Sequence, residues 1–256
     1  MFFPISDDDR SINRPVYVTY VLLAINIVLF VVQLRDPAFT YGWSVIPREI
    51  TTGEDLVGSV IVNAGSREVE VPQTPGPSPI WLTLFSSMFM HAGFGHIGGN
   101  MLYLWIFGDN VEHRFGSVRF LIFYLVAGLF ASAAQIALNP DGILPNLGAS
   151  GAIAGVMGAY MVLFPYNRVN AIFFFTIISV PAIVVLGMWI ATQLFSGYGS
   201  LFASTQGVGG VAYAAHIGGF VAGVAAGIVA RASMKGEPDS ILRRNYEHDP
   251  LARRLW

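Results

Sequence analysis

The chain has 256 residues, of which 54% are hydrophobic and only 12% are Asp, Glu, Lys or Arg, about half the charged fraction of a soluble domain. Together with a mean hydropathy of +0.58, this composition excludes an ordinary soluble protein and favours a polytopic membrane protein. The formal net charge of −2 indicates no basic surface for nucleic acid, and the lack of cysteine excludes disulfides, thiol catalysis and cysteine-based zinc sites.

Apolar stretches of about 20 residues are long enough to span a bilayer. They predict six transmembrane helices, at 16–34, 82–108, 119–138, 149–165, 169–195 and 208–230. We therefore predict an all-α membrane protein, a six-transmembrane-helix bundle at 16–232, between an N-terminal segment 1–15 and a tail 233–256. The polar stretch 35–80 predicts a large external first loop, in which 60–62 and 69–71 favour a short hairpin around the turn 63–66.

The distribution of Lys and Arg predicts the orientation, because cations near helix ends are retained on the cytoplasmic side. With six spans, one side receives eleven cations: Arg10, Arg14, Arg114, Arg119, Arg168, Arg231, Lys235, Arg243, Arg244, Arg253 and Arg254. The other side receives three: Arg35, Arg48 and Arg67. We therefore expect a multi-pass protein of the cell membrane with both termini cytoplasmic and the first loop outside.

Two polar residues interrupt the predicted spans at matching depths. Ser150 follows the helix-breaking loop 139–142 and precedes an apolar run, so it is expected to begin a helix. Ser150 lies 15 residues before Pro165, and His216 lies 15 residues before Arg231, roughly 22 Å in each case. Polar groups at such depth are costly and indicate function.

Small residues predict that the helices carrying Ser150 and His216 pack closely. Glycines recur at four-residue spacing on both: Gly151 and Gly155 on one, and Gly219, Gly223 and Gly227 on the other. Such faces let helix backbones approach in lipid. We therefore predict that the serine hydroxyl and the imidazole come within hydrogen-bond reach, as in an activated serine.

An oxyanion formed at this serine needs hydrogen-bond donors in place beforehand. A helix that begins at Ser150 leaves its first backbone N–H groups free. His96 and Asn100, four residues apart on one helix face, are candidate side-chain donors. No carboxylate is expected at this depth, so the spacing favours a Ser-His dyad over a triad.

Each of these residues also has a simpler interpretation. A serine between glycines is typical of helix packing, and a lone intramembrane histidine such as His216 also suits a backbone carbonyl or a proton relay. His91, His96 and His216 lack the spacing and the carboxylate of a zinc site, so no metal is predicted. A proton-coupled transporter would need intramembrane carboxylates, and the spans show none near the midplane.

Three separated motifs resemble those of the rhomboid intramembrane serine proteases. The run from Trp81 to Gly116, with His91, His96 and Asn100, is similar to the second helix and following turn of that family. The other two motifs are Gly148-Ala149-Ser150-Gly151, similar to the nucleophile motif, and Ala215-His216 with Gly219 and Gly223, similar to the catalytic histidine helix. The resemblance covers residues 81–223 in the family's order.

The resemblance implies a role for each matching residue. Ser150 would be the nucleophile, His216 the general base, and His96 and Asn100 the oxyanion donors. His91 would be a structural loop residue, and the glycines Gly148, Gly151, Gly219 and Gly223 would support the site. The segment 196–209 occupies the place of the family's mobile outer gate.

The family's activity implies cofactor-free cleavage of single-span membrane proteins in the lipid bilayer, at a helix-destabilised segment. The small residues Ala149, Ala152 and Ala154 suggest a preference for small side chains before the cleaved bond. The alternative is a non-catalytic rhomboid-like binder of membrane helices, which gives no reason to hold a serine and a histidine at one depth.

The sequence departs from the family pattern in two places. Trp81 is followed by Leu82, where an arginine is frequent. Ala154 stands four residues after Ser150, where some members carry an aromatic residue that stacks on the histidine. The support for His216 is therefore not evident from the motifs.

Overall fold

The computed structural model describes residues 3–9, 12, 15–64, 67–202 and 212–233, and most of these are helical. In chain order the helices are α1 (Tyr17–Arg35), α2 (Pro37–Gly42), α3 (Pro47–Thr52), α4 (Thr83–Ser86), α5 (Phe94–Phe115), α6 (Ser117–Leu138), α7 (Ser150–Leu163), α8 (Ala182–Phe202) and α9 (Tyr213–Ser233). Within the described residues, α1, α6 and α9 are long and apolar enough to cross a membrane by length and composition. The long helices predicted at 16–34, 119–138, 149–165 and 208–230 therefore appear with shifts of a few residues.

Strands modify the all-α prediction. Strand β1 (Phe3–Ser6) pairs with β4 (Arg168–Phe173), which pairs with β5 (Thr176–Pro181), in an antiparallel sheet. The predicted helix 169–195 is therefore wrong in its first part, and α8 begins only at Ala182. The run 168–181 is rich in β-branched and aromatic residues, which favour strands, and periodicity alone does not separate a short apolar strand from a helix.

The predicted span 82–108 is also two separate pieces. Short helical turns cover Ile80–Phe89, and α5 begins only at Phe94. Between them, Met90 and Gly93 have extended backbones, which end the first piece before α5 begins. The first piece, Ile80–Phe89, therefore belongs to the end of the first loop, and the second piece is the separate long helix α5.

The hairpin predicted in the first loop is confirmed. Strand β2 (Gly58–Ala64) pairs antiparallel with β3 (Arg67–Gln73), with Val60 opposite Val71 and Val62 opposite Val69. Other sequence predictions lie outside the described residues: Arg10 and Arg14, turn residues 65–66, gate residues 203–209, the first four residues of the predicted helix 208–230, and tail residues 234–256.

Helix α7 forms the centre of the bundle and packs against α5, α6 and α9. Every residue of α7 except Ser150, Met161 and Val162 is buried. A helix enclosed on all sides needs apolar residues around its whole circumference, and small ones where neighbouring backbones come close. The composition of α7, dominated by Ala, Gly, Val and Met, meets both needs.

One buried carboxylate joins three helices at the end of α5 that is far from His96. Glu112 of α5, 1% exposed, accepts hydrogen bonds from the backbone N–H groups of Val18 and Thr19 at 2.9 and 2.6 Å. It also accepts from the hydroxyls of Thr19 and Ser117 at 2.7 and 2.6 Å. The backbone bonds satisfy two N–H groups at the start of α1 that would otherwise be unpaired. The Ser117 hydroxyl joins the first residue of α6 to the same carboxylate.

An acidic cluster, Asp7, Asp9 and Asp109, lies beside the β1–β4 edge. The Asn110 amide donates to Asp7 and Asp9, both at 3.0 Å, and the hydroxyl of Tyr160 in α7 donates to Asp7. Burial raises the pKa of Asp7 well above its usual range, and the charge of Asp9 raises it further. The cluster therefore favours a protonated Asp7 in the folded protein.

We expect wild type to lose stability as pH rises, because Asp7 must then ionise in a buried site, and we expect Asp7→Asn to lack this loss. Because the folded pKa of Asp7 is raised, its stabilising contribution is complete below the unfolded pKa of about 3.9 and is lost as pH rises through the folded value. In thermal unfolding from pH 4 to 9, the variant should match wild type at low pH and exceed it at high pH by at least ~2 °C. A constant difference between the unfolding midpoints of Asp7→Asn and wild type across this pH range would contradict the prediction. Asp141→Asn, at an exposed position, is the control.

Candidate active site

Ser150 and His216 meet at one end of the bundle. Ser150 is the first residue of α7, and His216 lies in the first turn of α9. The His216 Nε2 atom lies 2.8 Å from the Ser150 Oγ atom. The contact predicted from the depth and glycine spacing is therefore present.

Glycine pairs bring α7 and α9 close enough for this contact. A methyl group added at Gly219 would collide with the carbonyl oxygen of Gly151, and one added at Gly223 would collide with that of Gly155. Both obstacles are backbone atoms, which cannot rotate away as a side chain does. Gly151 and Gly155 also face Ala131 and Ala127 of α6.

Gly148 brings the loop before α7 against His96. Its φ of +130° lies in a region that disfavours side chains, and a Cβ added there would lie 2.7 Å from the His96 Nε2 atom. The Gly148 N–H donates to the carbonyl of Ser87 at 2.8 Å. The glycine thus allows the backbone, His96 and the Ser150 hydroxyl to converge.

His96 presents a donor toward Ser150. Its Nδ1 atom accepts a hydrogen bond from the backbone N–H of Ala92 at 3.3 Å. A neutral imidazole that accepts at Nδ1 carries its proton on Nε2, and this Nε2 is the atom beside Gly148. The arrangement therefore gives an N–H group near the serine.

Asn100 lies one turn along α5 from His96. It is 7% exposed, and its Nδ2 atom has no hydrogen-bond partner among the described residues. A buried donor without a partner costs free energy. Such a donor suits a ligand that brings its own acceptor.

A small cleft of about 40 Å³ lies beside Ser150 between α6, the start of α7 and the start of α9. Most of its lining residues are small, among them Ala131, Ser132, Ala152, Ala212 and Ala215. All three alanines that suggested a preference for small side chains are buried. Ala152 is among the residues that line the cleft, and Ala149 and Ala154 are not.

His91 anchors the loop before α5. It is 2% exposed. Its backbone N–H donates to Gln33 Oε1 at 3.0 Å, while its carbonyl accepts from Gln33 Nε2 at 3.1 Å. The ring packs edge to face on His96 with centroids 5.2 Å apart. These contacts fit the loop role that the family resemblance implies.

Among the described residues, the side chains grouped closely enough to share a cation are Asp7, Asp9 and Asp109, within 4.8 Å of one another. Tyr160, which donates to Asp7, stands ten residues along α7 from Ser150, roughly 15 Å away. Any cation at that cluster would therefore not touch the serine.

Two residues of α8 contact His216 and were not singled out from the sequence. Gln193 Oε1 lies 2.8 Å from His216 Nδ1, and the ring of Trp189 lies 5.8 Å from the imidazole. Trp189 thus gives His216 an aromatic contact, which the small Ala154 cannot provide. Gln193 is a polar residue within a predicted span, and the rule that drew attention to Ser150 and His216 also applies to it.

Only part of the segment 196–209, expected as the mobile outer gate, lies within the described residues. Residues 196–202 continue α8 as helix, and Gly197 packs toward Tyr213 of α9. The remaining residues, 203–209, lie outside the described part of the chain.

Comparison with known proteins agrees with the motifs. Residues 79–233 match the family model described as the Rhomboid domain. The chain is 36% identical over 151 residues to the rhomboid protease GluP of Bacillus subtilis, covering 58% of this chain and 26% of that protein. It is 33% identical over 147 residues to the mitochondrial Rhomboid protein 1 of Saccharomyces cerevisiae, covering 56% and 40%.

A further match is the putative rhomboid protease YdcA of Bacillus subtilis, 31% identical over 116 residues, which cover 44% of this chain and 58% of that protein. The chain therefore spans less than two thirds of the length of each of these relatives. The family match includes the Ser150 and His216 helices and leaves out α1 and the hairpin of the first loop.

Proposed function

The chain belongs to the rhomboid family and is a multi-pass membrane protein, and on that premise we propose that it is an intramembrane serine endopeptidase. Ser150 is the nucleophile and His216 the general base. The observation that carries the proposal is the 2.8 Å contact between Ser150 Oγ and His216 Nε2. Relatives named as proteases support it.

In the proposed reaction, Ser150 Oγ attacks the carbonyl carbon of a peptide bond while His216 Nε2 takes the hydroxyl proton. The tetrahedral intermediate collapses as the C–N bond breaks, and His216 returns the proton to the leaving amine. Water, deprotonated by the same imidazole, then attacks the acyl carbon. As the bond from that carbon to Ser150 Oγ breaks, His216 returns the proton to Oγ and the carboxyl product leaves. The cycle restores both residues and needs no cofactor.

The developing oxyanion is stabilised by donors around Ser150. The proposed donors are His96 Nε2–H, which lies beside Gly148, the unpaired amide of Asn100 one turn along α5, and the N–H groups of the first turn of α7. Donors fixed before the charge forms need no reorganisation during reaction. This is the role proposed for His96 and Asn100.

We expect His96→Ala and Asn100→Ala each to lower kcat by about 10²–10³-fold, the effect of losing one oxyanion donor. KM should change little, because the interaction strengthens only in the transition state. Cleavage of a reconstituted model substrate measures both constants, with the exposed Asn139→Ala as control. A rise in KM at constant kcat would instead assign these residues to substrate binding.

The proposed substrates are single-span membrane proteins cut in a helix-destabilised segment. An extended segment is needed because a helical peptide bond is enclosed by its own hydrogen bonds. The small side chains that line the cleft support a preference for small residues before the cleaved bond. The lipid bilayer is the medium in which enzyme and substrate meet.

The proposed topology has six spans, α1 and α5 to α9, with both termini cytoplasmic and the protein in the cell membrane. Contacts between the first loop and the loop before Ser150 support placing both on the same, outer side. Val45 pairs with Asn146, Arg48 N–H donates to Gly142, and Gln73 donates to Ile143. A substrate would therefore reach Ser150 from the outer half of the membrane.

Reaction of purified, detergent-solubilised protein with a fluorophosphonate tests the proposal. Intact mass should show one adduct, located by peptide mapping at Ser150 and lost in Ser150→Ala and His216→Ala. Ser233→Ala, at the far end of α9, should label like wild type. If folded wild type stays unlabelled while a known serine hydrolase reacts, the protein is instead a non-catalytic binder of membrane helices.

A further inference from the structure

We infer that Gln193 is the residue that sets the tautomer of His216, doing with a neutral amide what a carboxylate does in a Ser-His-Asp triad. The inference rests on the proposed function and adds a third helix, α8, to the site. Gln193 is a positioning residue, since it contacts the imidazole and acts through it.

The geometry places His216 between two partners. Its Nδ1 atom lies 2.8 Å from Gln193 Oε1, and its Nε2 atom lies 2.8 Å from Ser150 Oγ. A neutral imidazole has one N–H donor and one acceptor nitrogen. The partner at Nδ1 therefore decides whether Nε2 can accept the serine proton.

An amide oxygen is an acceptor only, so Gln193 Oε1 requires the proton on Nδ1. The Nε2 lone pair then faces the serine hydroxyl, as a general base requires. The reverse tautomer would put a proton on Nε2 and leave Ser150 without a base. After proton transfer both ring nitrogens carry protons, and the Nδ1–H···Oε1 bond becomes charge-assisted and stronger.

Trp189 supports the same imidazole one turn earlier on α8. Its ring lies 5.8 Å from that of His216, inclined by 38°, and 6.0 Å from that of Phe220. Residues four apart share a helix face, so α8 presents an aromatic surface and an amide to the histidine together. This pair supplies the support that Ala154 cannot give from α7.

A neutral partner also suits the location. A carboxylate within a membrane span is costly unless it is paired, whereas an amide sets the tautomer without adding a buried charge. Gln193 is partly buried on α8. The site therefore combines a serine from α7, an imidazole from α9 and an amide from α8.

The test compares Gln193→Met, which keeps the side-chain length and removes the amide, with Gln193→Glu, which keeps an acceptor. Thr192→Val, an exposed neighbour on α8, is the control. The first readout is the ¹⁵N spectrum of histidine-labelled protein in detergent, with the His216 signals assigned by their loss in His216→Ala. The second is the rate constant of fluorophosphonate labelling.

We expect His216 to carry its proton on Nδ1 in wild type, Thr192→Val and Gln193→Glu, and to populate the Nε2–H form in Gln193→Met. Labelling of Gln193→Met should be about tenfold slower, the factor expected for losing one neutral hydrogen bond. Labelling of Thr192→Val should equal that of wild type. If Gln193→Met does not fold, Gln193→Asn, which withdraws the amide by one methylene, gives the same readouts.

The two readouts separate this inference from the proposed function. Unlabelled wild type with an Nδ1–H tautomer that depends on Gln193 would reject the protease and keep the tautomer assignment. Labelled wild type with the same tautomer and rate in Gln193→Met would overturn the role of Gln193. An Nε2–H tautomer in wild type would overturn it as well.

Discussion

Ser150→Ala and His216→Ala are each expected to lower kcat by about 10⁶-fold, and the double variant is expected to be no slower than either single one. The hydroxyl and the imidazole form one unit joined at 2.8 Å. Removing either partner disables the other, so their effects on the rate do not add.

The rate constants for single-turnover cleavage of a model single-span substrate in proteoliposomes test this expectation. Binding of the uncleaved substrate should persist in all three variants, because the cleft beside Ser150 is lined mainly by other residues. Thermal midpoints near that of wild type verify the fold. Additive losses in the double variant would show that the two residues act independently, and turnover by Ser150→Ala would remove the assigned nucleophile.

Gly223→Ala is expected to separate α7 from α9 and to reduce both stability and activity. The added methyl group would collide with the carbonyl of Gly155, whose backbone cannot yield without moving α7. Overpacking of this kind costs about 1–3 kcal/mol. Because Ser150 and His216 stand on the two separated helices, kcat should also fall.

Gly187→Ala is the matched control, since Gly187 lies within α8 and an added methyl group there meets no atom within 4 Å. A helix-interior Gly→Ala change without a clash is neutral or stabilising. Thermal unfolding and fluorophosphonate labelling of the two variants measure the contrast. Equal midpoints and equal labelling would mean that the close approach of α7 and α9 is not needed.

The helices that the sequence predicted well are those whose limits depend on local signals. The ends of α1, α6, α7 and α9 follow from the length of apolar runs and from breaker residues. The start of α8 depends instead on the pairing of 168–173 with Phe3–Ser6, more than 160 residues earlier in the chain. A contact between such distant segments leaves no periodic signal in the sequence.

The candidate site likewise contains residues that local sequence signals predicted and residues that they did not. Ser150 and His216 were predictable because glycine spacing marks the helix faces that meet. Gln193 and Trp189 contact His216 from α8. The rotation of α8 about its own axis sets whether these two side chains face the histidine. That rotation arises from packing against α9 and the strands β4 and β5, and no motif within α8 records it.

The carboxylate of Glu112 has a mechanical consequence for the bundle. It binds two backbone N–H groups of the first turn of α1 and the Ser117 hydroxyl of α6. Glu112 lies sixteen residues from His96, or about 24 Å along α5. The helices α1, α5 and α6 are thus joined at one end and can rotate relative to one another about Glu112. We therefore expect small rotations about Glu112 to produce larger displacements at the Ser150 end, the end at which substrate entry is proposed.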